Sequence, residues 1–298
     1  MLRSLYSGVS GMKGFQTKMD VLANNIANVN TTSFKSSRVR FQDMLSQTVA
    51  NAQGPSSTGG PGGVNARQVG LGVKVGSIDA MMENGNLQAT NRELDFAIEG
   101  NGFFTIGTRF DGEEIDSLAT EFLYTRDGGF FRDSAGTLVN ANGQKILGFI
   151  VEEDGTVGDI NAGLVSISIP DKVDPTDVDS PQLQSYTIDG AGTVTAIYGG
   201  EDPKVIGKIA LTTFTNPEGL EKKGNNNYTY TNNSGTPALG IAGDPGFGVV
   251  RQGFLEMSNV DLANEFTEMV IASRAYSANS RSITTSDEML QELINLKR

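Results

Sequence analysis

The sequence predicts an α+β protein in which long N-terminal and C-terminal helices pair as a coiled coil and flank a central antiparallel all-β domain. Apolar residues recur at heptad spacing over residues 2–29 and again over residues 260–296. Such spacing is typical of helices that pack along a shared seam. Between these segments, alternating apolar and polar residues are interrupted by glycine-rich turns, as in antiparallel sheets.

These patterns divide the chain into three parts. Residues 1–30 and 258–298 are expected to form the paired terminal helices, residues 31–72 a flexible linker region, and residues 73–257 a β-rich outer domain. An acidic, loop-rich elaboration is expected around residues 150–204 within that domain.

The N-terminal helix is predicted from two apolar positions in each heptad. One position holds Leu5, Met12, Met19 and Ile26, and the other holds Phe15, Leu22 and Val29. Residues three and four apart lie on one face of a helix, so these side chains form a continuous apolar stripe. A single helix cannot bury such a stripe, and we expect it to pack against another helix.

The C-terminal helix repeats this pattern more weakly. One heptad position holds Leu262, Met269, Tyr276, Ile283 and Leu290; the other holds Phe266 and Ile294, with polar residues between them. We therefore expect this helix to pair with the N-terminal helix rather than with a copy of itself. At about 1.5 Å per residue each helix is roughly 35–50 Å long, more than is needed to cap a small β domain.

Four asparagines close the N-terminal helix, namely Asn24, Asn25, Asn28 and Asn30. Asparagine is a modest helix former and a good cap, so the cluster can mark a fraying C-terminus. Alternatively, the amides hydrogen-bond to neighbouring helices and fix their register. The residues alone favour neither interpretation.

The linker and the β domain are predicted from composition and turns. Residues 51–72 are rich in Gly, Ser, Pro, Asn and Gln, which cannot sustain a helix or bury a core. Hairpin turns are predicted at 133–136, 140–143, 154–155 and 189–192. The Pro- and Asp-rich residues 170–182 are predicted to form an exposed loop.

Composition excludes several functions. The 298 residues include no Cys and no His, so a thiol nucleophile, an imidazole acid or base, and a zinc site of the usual N/S type are all excluded. No constellation of polar residues suggests an active site, and we expect neither enzymatic activity nor a cofactor.

Charge is distributed unevenly along a chain whose net charge is -12. Residues 1–50 hold six Lys and Arg against two Asp, a local charge of +4, whereas residues 150–204 hold eleven acidic residues against two Lys, a local charge of −9. The basic residues are not interleaved with aromatic ones, so we expect no nucleic-acid binding. No run of 18 apolar residues and no secretory h-region occurs, so we expect no membrane insertion and either a cytoplasmic location or export without a cleaved signal.

Four ordered motifs resemble the bacterial flagellar rod and hook axial proteins. The first runs from Leu22 to Thr31 and is followed by Phe34-Lys35. The others are 85–104, beginning Gly85-Asn86-Leu87; 124–131, beginning Tyr124-Thr125-Arg126-Asp127-Gly128; and 253–261, beginning Gly253-Phe254-Leu255-Glu256. Ser33 departs from the pattern, because the family commonly has Gly before Phe-Lys.

This resemblance implies a structural subunit of the flagellum, exported by the flagellar export apparatus without a cleaved signal. It implies that the terminal helices pair to line an inner tube in a helical homopolymer. The expected partners are other copies of the chain, the distal rod protein, and the hook cap and hook-filament junction proteins. The expected assembly interface comprises Leu5, Met12, Phe15, Met19, Leu22, Asn24, Asn25, Ile26, Asn28, Val29, Leu262, Phe266, Met269, Tyr276, Ile283, Leu290 and Ile294.

Both ends of the chain look most like hook proteins of Gram-positive type, which favours a subunit of the curved hook that transmits motor torque to the filament. The short chain and the 51–72 segment instead resemble distal rod proteins. A third possibility is a cytoplasmic coiled-coil adaptor that forms a small, defined oligomer.

Overall fold

The computed structural model describes residues 2–54, 62–107, 122–151, 164–172, 181–199 and 202–296. The chain forms two compact units. The first contains Met1–Val29, Ser36–Met81 and Val260–Arg298, and the second contains Asn30–Lys35 and Met82–Asn259. The terminal helices and the central antiparallel β structure confirm the predicted mixed class. None of the helices in the described part of the chain combines the length and apolar character that a membrane span requires.

The first unit is built on helices α1 (Leu2–Ala27) and α2 (Leu262–Leu296). They pack antiparallel: the hydroxyls of Ser4 and Ser286 are 3.4 Å apart at one end, and Lys18 Nζ lies 2.5 Å from Glu268 Oε2 towards the other. Coiled-coil packing in the strict sense of knobs fitting into holes stays a prediction.

The described residues of the first unit also form the strands β1 (Ser37–Asp43), β2 (Ser46–Ala50), β3 (Arg67–Gly70) and β4 (Val73–Ala80). Strand β1 pairs with β4, with a register shift between Arg40 and Phe41, and β2 pairs with β3. The exposed residues of β2 and β3 make them an open two-stranded ribbon.

These strands correct the predicted linker over residues 31–72. The alternation in β1 places Val39 and Phe41 towards the unit, and the Phe41 ring lies 5.4 Å from that of Phe15 on α1. The linker was suggested by the composition of residues 51–72, which follow β1 and β2 and are rich in Gly, Ser and Pro. Because β4 pairs with β1, the β domain begins at residue 82 rather than at residue 73.

The second unit is β-rich and its strand pairings are antiparallel throughout the described residues. Its strands are β5 (Leu87–Ala89), β6 (Phe96–Glu99), β7 (Phe103–Gly107), β8 (Phe122–Thr125), β9 (Phe130–Arg132), β10 (Leu138–Asn140), β11 (Lys145–Ile150), β12 (Val165–Ser166), β13 (Leu183–Ile188), β14 (Thr193–Tyr198), β15 (Lys204–Thr213), β16 (Glu221–Gly224), β17 (Asn227–Thr229), β18 (Ala238–Ile241), β19 (Val249–Gln252) and β20 (Phe254–Glu256). A 3₁₀ helix at Pro217–Gly219 precedes β16.

The main sheet follows the order β13-β14-β15-β11-β7-β8-β17-β16, and the pairs β19-β6 and β20-β5 lie outside it. Its core contains the buried side chains of Phe96, Phe104, Phe130, Leu138 and Ile209, among others. Aromatic rings pack edge to face there, as for Phe104 and Phe130, whose centroids are 5.5 Å apart.

Three of the predicted turns are confirmed. The turns at 133–136, 140–143 and 189–192 connect consecutive strands, and Gly136, Gly143 and Gly192 have φ values of 83°, 76° and 73°. The predicted turn at 154–155 and most of the predicted loop at 170–182 lie outside the described residues. Within the expected acidic elaboration around 150–204, the described residues form β12, β13 and β14 as well as loops.

Candidate assembly interface

The predicted stripe of α1 is largely covered within the first unit. Leu22 is 6% exposed, and Leu5, Met12, Phe15, Met19, Ile26 and Val29 are partly buried. This stripe therefore packs against α2 and the strands of its own chain.

The covered face of α2 differs from the predicted one. Met269, Ile283 and Leu290 are partly buried as expected, but the companion heptad position holds Glu265, Ala272, Asn279 and Ser286. Apolar periodicity missed these four residues because they are small or polar. Phe266 and Ile294, at 52% and 66% exposure, do not belong to the seam within the chain.

Small residues on α1 let α2 approach closely. A Cβ atom at Gly11 would lie 2.7 Å from Asn279 Nδ2, and one at Gly8 would lie 3.0 Å from Ile283 Cγ1. Glycine costs about 1 kcal/mol relative to alanine inside a helix. The close contact explains why glycine occupies these positions despite that cost.

Asn25 is 1% exposed and is bound within its own unit. Its Nδ2 donates to the Ser37 carbonyl at 2.9 Å, while its Oδ1 accepts from the Ser37 amide at 3.0 Å. Nδ2 also lies 3.2 Å from Glu265 Oε1, and burial raises the pKa of that carboxyl although this hydrogen bond opposes the shift. Asn25 thus joins α1, α2 and β1.

The other asparagines have different surroundings. Asn28 Nδ2 donates to the Asn24 carbonyl at 2.9 Å, a local contact at the end of the helix. Asn24 itself is exposed. The helix-end interpretation therefore describes Asn28. Asn25 hydrogen-bonds to Glu265 on the neighbouring helix, as the second interpretation has it, and also to the backbone of β1, which neither interpretation included.

Two exposed apolar patches lie on α2. The first comprises Leu262, Phe266, Val270 and Ile271, and the second comprises Met289, Leu293, Ile294 and Leu296. The exposed residues between them are mainly Ser, Thr, Arg, Asp and Glu. Large apolar side chains grouped on one exposed surface are typical of protein–protein contact sites.

The second unit holds a buried ionic cluster that joins distant parts of the sequence. Lys35 Nζ lies 2.6 Å from Glu256 Oε1, and Arg126 Nε lies 3.4 Å from Glu256 Oε2. The three side chains are 0%, 3% and 0% exposed for Lys35, Arg126 and Glu256 respectively. Burial lowers the pKa of Lys35, while the neighbouring Glu256 carboxylate opposes that shift.

The segment Asn30–Lys35 is fastened to the second unit beside this cluster. The Ser33 amide donates to the Glu256 carbonyl at 2.8 Å, and the Ser33 hydroxyl donates to the Arg126 carbonyl at 2.8 Å. Ser33 has a φ of 55°, the left-handed conformation that glycine adopts more easily. Serine thus keeps the positive φ that a glycine would permit, and its hydroxyl adds a hydrogen bond.

Each of the three charged residues lies in one of the family motifs, but nothing in the sequence indicated that they meet. Lys35, Arg126 and Glu256 are far apart in the chain, and no local spacing identifies the partner of a buried charge. Among the residues that the structure describes, no group of three acidic side chains is arranged to hold a metal ion.

Paired terminal helices with exposed apolar patches, together with a β unit, define a structural protein that acts through contacts with other protein chains. Three sequence families match the chain. They are described as flagella basal body rod protein, over residues 5–35, flagellar hook protein FlgE/F/G D1 domain, over residues 97–196, and flagellar basal body rod FlgEFG protein C-terminal, over residues 251–296.

Individual relatives agree with these matches. The flagellar basal-body rod protein FlgG of Bacillus subtilis is 46% identical over 299 residues that cover all of both chains. The flagellar hook protein FlgE of Borreliella burgdorferi is 31% identical over 445 residues, again covering all of both chains. A Helicobacter pylori hook protein structure, FlgE2, covers 64% of this chain and 45% of its own at 16% identity, and its TM-score of 0.23 is too low to support an argument.

The chain belongs to the bacterial flagellar rod and hook protein family. Members of this family are structural components of the flagellum and not enzymes, as the sequence predicts for this chain.

Proposed function

We propose that the chain is a distal rod subunit of the flagellar basal body, which polymerises into a straight tube and passes torque towards the hook. The observation that carries this proposal is the alignment length. The chain of 298 residues aligns with the Bacillus rod protein over 299 positions, almost its own length. Its alignment with the Borreliella hook protein needs 445 positions. The Borreliella hook protein therefore contains insertions that this chain lacks.

The second candidate is a hook subunit, the function that the ends of the sequence favoured. It keeps support from the 31% identity to a hook protein over the whole of both chains. The 46% identity to a rod protein of the same length makes the rod the better supported of the two.

Assembly in either case is proposed to use the helix surfaces that remain open. The intrachain seam already covers Met269 and Ile283, so another copy would bind the outer patches around Phe266 and Ile294. If one patch meets a different surface on the next copy, the contact is heterologous and generates an open helix of subunits. The 17 interface residues from the sequence thus split between contacts within a chain and contacts between chains.

The partners would be further copies of the chain, the adjoining rod and hook subunits, and the flagellar export apparatus. Export would use no cleaved signal, as the resemblance to rod and hook proteins implies. Neither nucleic acid nor membrane insertion forms part of the proposal.

Electron microscopy of the concentrated full-length protein tests the proposal. We expect straight tubes, whereas curved tubes would favour the hook and discrete small oligomers would favour an adaptor. Phe266→Asp should abolish tubes while leaving helical circular dichroism unchanged, because Phe266 is exposed in the single chain. Ser273→Asp, at another exposed position of α2, is the matched control and should still form tubes.

A further inference from the structure

The buried ionic cluster of the second unit carries an excess positive charge. Two cations, Lys35 and Arg126, share the single carboxylate of Glu256, and all three side chains are almost fully buried. Burying a charge without a partner is costly, so buried cations are normally matched by anions. The cluster therefore holds one positive charge more than its own carboxylate balances.

Two acidic groups near the cluster, Tyr228 and Asp127, do not balance this charge. Burial raises the pKa of Tyr228 to about 12, so its phenol is neutral at physiological pH. The Asp127 carboxylate faces other donors, since its Oδ1 accepts from the Thr32 hydroxyl at 3.2 Å and from the Gly129 amide at 3.4 Å. Arg126 is the more weakly paired of the two cations, because its Nε lies 3.4 Å from Glu256 Oε2 whereas Lys35 Nζ lies 2.6 Å from Glu256 Oε1.

Arg126 still has hydrogen-bonding capacity. A guanidinium carries five N–H donors. One Nη1 donor is used by Asn84 Oδ1 at 2.7 Å, one Nη2 donor is used by the Gly100 carbonyl, and Nε faces Glu256. Among the described residues, the second donor on each Nη atom has no hydrogen-bond partner. Such N–H groups suit the two oxygens of a carboxylate.

A cavity of about 320 Å³ lies beside Arg126. Its described lining combines the buried Arg126 and Phe103 with the partly buried Met82 and Phe214, while Asn101 and Thr215 are exposed. The guanidinium lies over the Phe103 ring, 5.6 Å from its centroid. A cation on an aromatic wall, reached past exposed residues, is suited to a small anionic group.

We propose that this cavity is a carboxylate-binding site, filled in the assembled polymer by an acidic side chain of a second copy of the chain. Carboxylates are abundant on the chain, which has 35 Asp and Glu against 23 Lys and Arg. In a polymer these carboxylates are held at high local concentration. The identity of the donor as a second copy rests on the proposed function, whereas the carboxylate site itself does not.

The site can be tested on the full-length chain with sodium acetate as the probe. The chain has nine methionines, and Met82 lines the cavity, so its methyl resonance can be followed by NMR on methyl-labelled protein and assigned with Met82→Leu. We expect a saturable shift of this resonance with acetate, and none with sodium chloride at equal ionic strength. A nuclear Overhauser effect between the acetate and Met82 methyl groups would support the site without any variant.

Two variants sharpen the test. Arg126→Gln removes the excess charge but leaves the Lys35 and Glu256 pair balanced, and it should weaken acetate binding at least tenfold. Arg132→Gln removes a partly exposed arginine of the same unit and should leave binding unchanged. A linear shift in the native chain, or equal binding by Arg126→Gln, would overturn the site.

The source of the carboxylate is tested in assembled tubes prepared without acetate. Solid-state NMR should find the Met82 methyl at its acetate-bound position, and added acetate should not move it. A Met82 resonance at the free position that still responds to acetate would overturn the second copy as donor. Failure to form tubes would overturn both the proposed function and the second copy as the source of the carboxylate. The acetate titration would still decide whether the cavity binds a carboxylate.

Discussion

The side chain of Asn25 and the backbone of Ser37 form two reciprocal hydrogen bonds. The amide nitrogen donates to the Ser37 carbonyl at 2.9 Å, and the amide oxygen accepts from the Ser37 N–H at 3.0 Å. The side chain thus occupies the edge of β1 much as a neighbouring strand would. It satisfies a backbone donor and a backbone acceptor where the chain enters the first sheet.

Asn25→Asp should destabilise the first unit. Aspartate can accept from the Ser37 amide but cannot donate to its carbonyl, and it places a charge beside Glu265 in a buried position. We expect a loss of about 3 kcal/mol in the free energy of unfolding, measured by urea titration with circular dichroism of the helices. Asn24→Asp, at the exposed neighbouring position, should change stability by less than about 0.5 kcal/mol. Equal effects of the two substitutions would contradict this role of Asn25.

The effect of Gly11→Ala on the stability of the fold should change sign when the residue at position 279 is replaced. Alanine gains about 1 kcal/mol of helix propensity over glycine, but its methyl would meet the Asn279 amide at 2.7 Å. We therefore expect destabilisation in the native background and stabilisation of up to about 1 kcal/mol when Asn279→Ala is also present. A double-mutant cycle from thermal unfolding measures this coupling. Stabilisation by Gly11→Ala in both backgrounds would show that the Asn279 side chain does not exclude a methyl group at position 11.

Substitutions in the ionic cluster should lower the free energy of unfolding by different amounts, according to whether the remaining buried charges are balanced. Glu256→Gln leaves Lys35 and Arg126 buried without an anion, and should cost about 3–5 kcal/mol. Arg126→Gln leaves one matched pair and should cost only about 1–2 kcal/mol, from its lost hydrogen bonds. Urea midpoints of the second unit, followed by tyrosine fluorescence, give the comparison. The charge argument fails if Arg126→Gln proves as costly as Glu256→Gln.

The raised pKa of Asp127 predicts how the free energy of unfolding depends on pH. Burial raises the pKa of this carboxyl above its ordinary value of 3.8, although hydrogen bonds from Gly129 and Thr32 oppose the shift. The folded state therefore binds a proton more tightly than the unfolded state. The resulting stabilisation is fully present below the unfolded pKa and is lost as the pH rises through the folded pKa.

Asp127→Asn removes this dependence, because asparagine does not titrate. The unfolding free energy of the variant minus that of the native chain should fall between pH 7 and pH 4, by up to about 1 kcal/mol. Urea titrations at several pH values measure the difference. Asp244→Asn, on an exposed turn, is the control for general charge effects. A difference that rises on acidification would reverse the assigned direction.

The regular elements were largely predictable because their patterns are local. The heptad apolar residues predicted helices over 2–29 and 260–296, and the helices span Leu2–Ala27 and Leu262–Leu296. Glycine combined with aspartate or asparagine likewise placed three turns of the β unit correctly. Strand β1 was missed because its alternating residues border a segment whose composition resembles a linker.

The packing of α1 against α2 within the chain was only half predictable. Large apolar side chains identified the stripe of α1 and the Met269, Ile283 and Leu290 positions of α2. The companion position on α2 was missed because Ala272, Asn279 and Ser286 are covered through close helix approach and not through their own hydrophobicity. Phe266, chosen for its apolar character, is instead exposed in the chain.

The sequence by itself determined two long amphipathic helices, an antiparallel β region and membership of a structural flagellar family, because periodicity, turn chemistry and motifs are all written locally. Only the tertiary structure decided which face of α2 is covered, how Asn25 binds Ser37, and how Lys35, Arg126 and Glu256 come together. Those relationships depend on which distant residues meet, and the side-chain spacing within one segment carries no information about the partner that a buried polar or charged group will find.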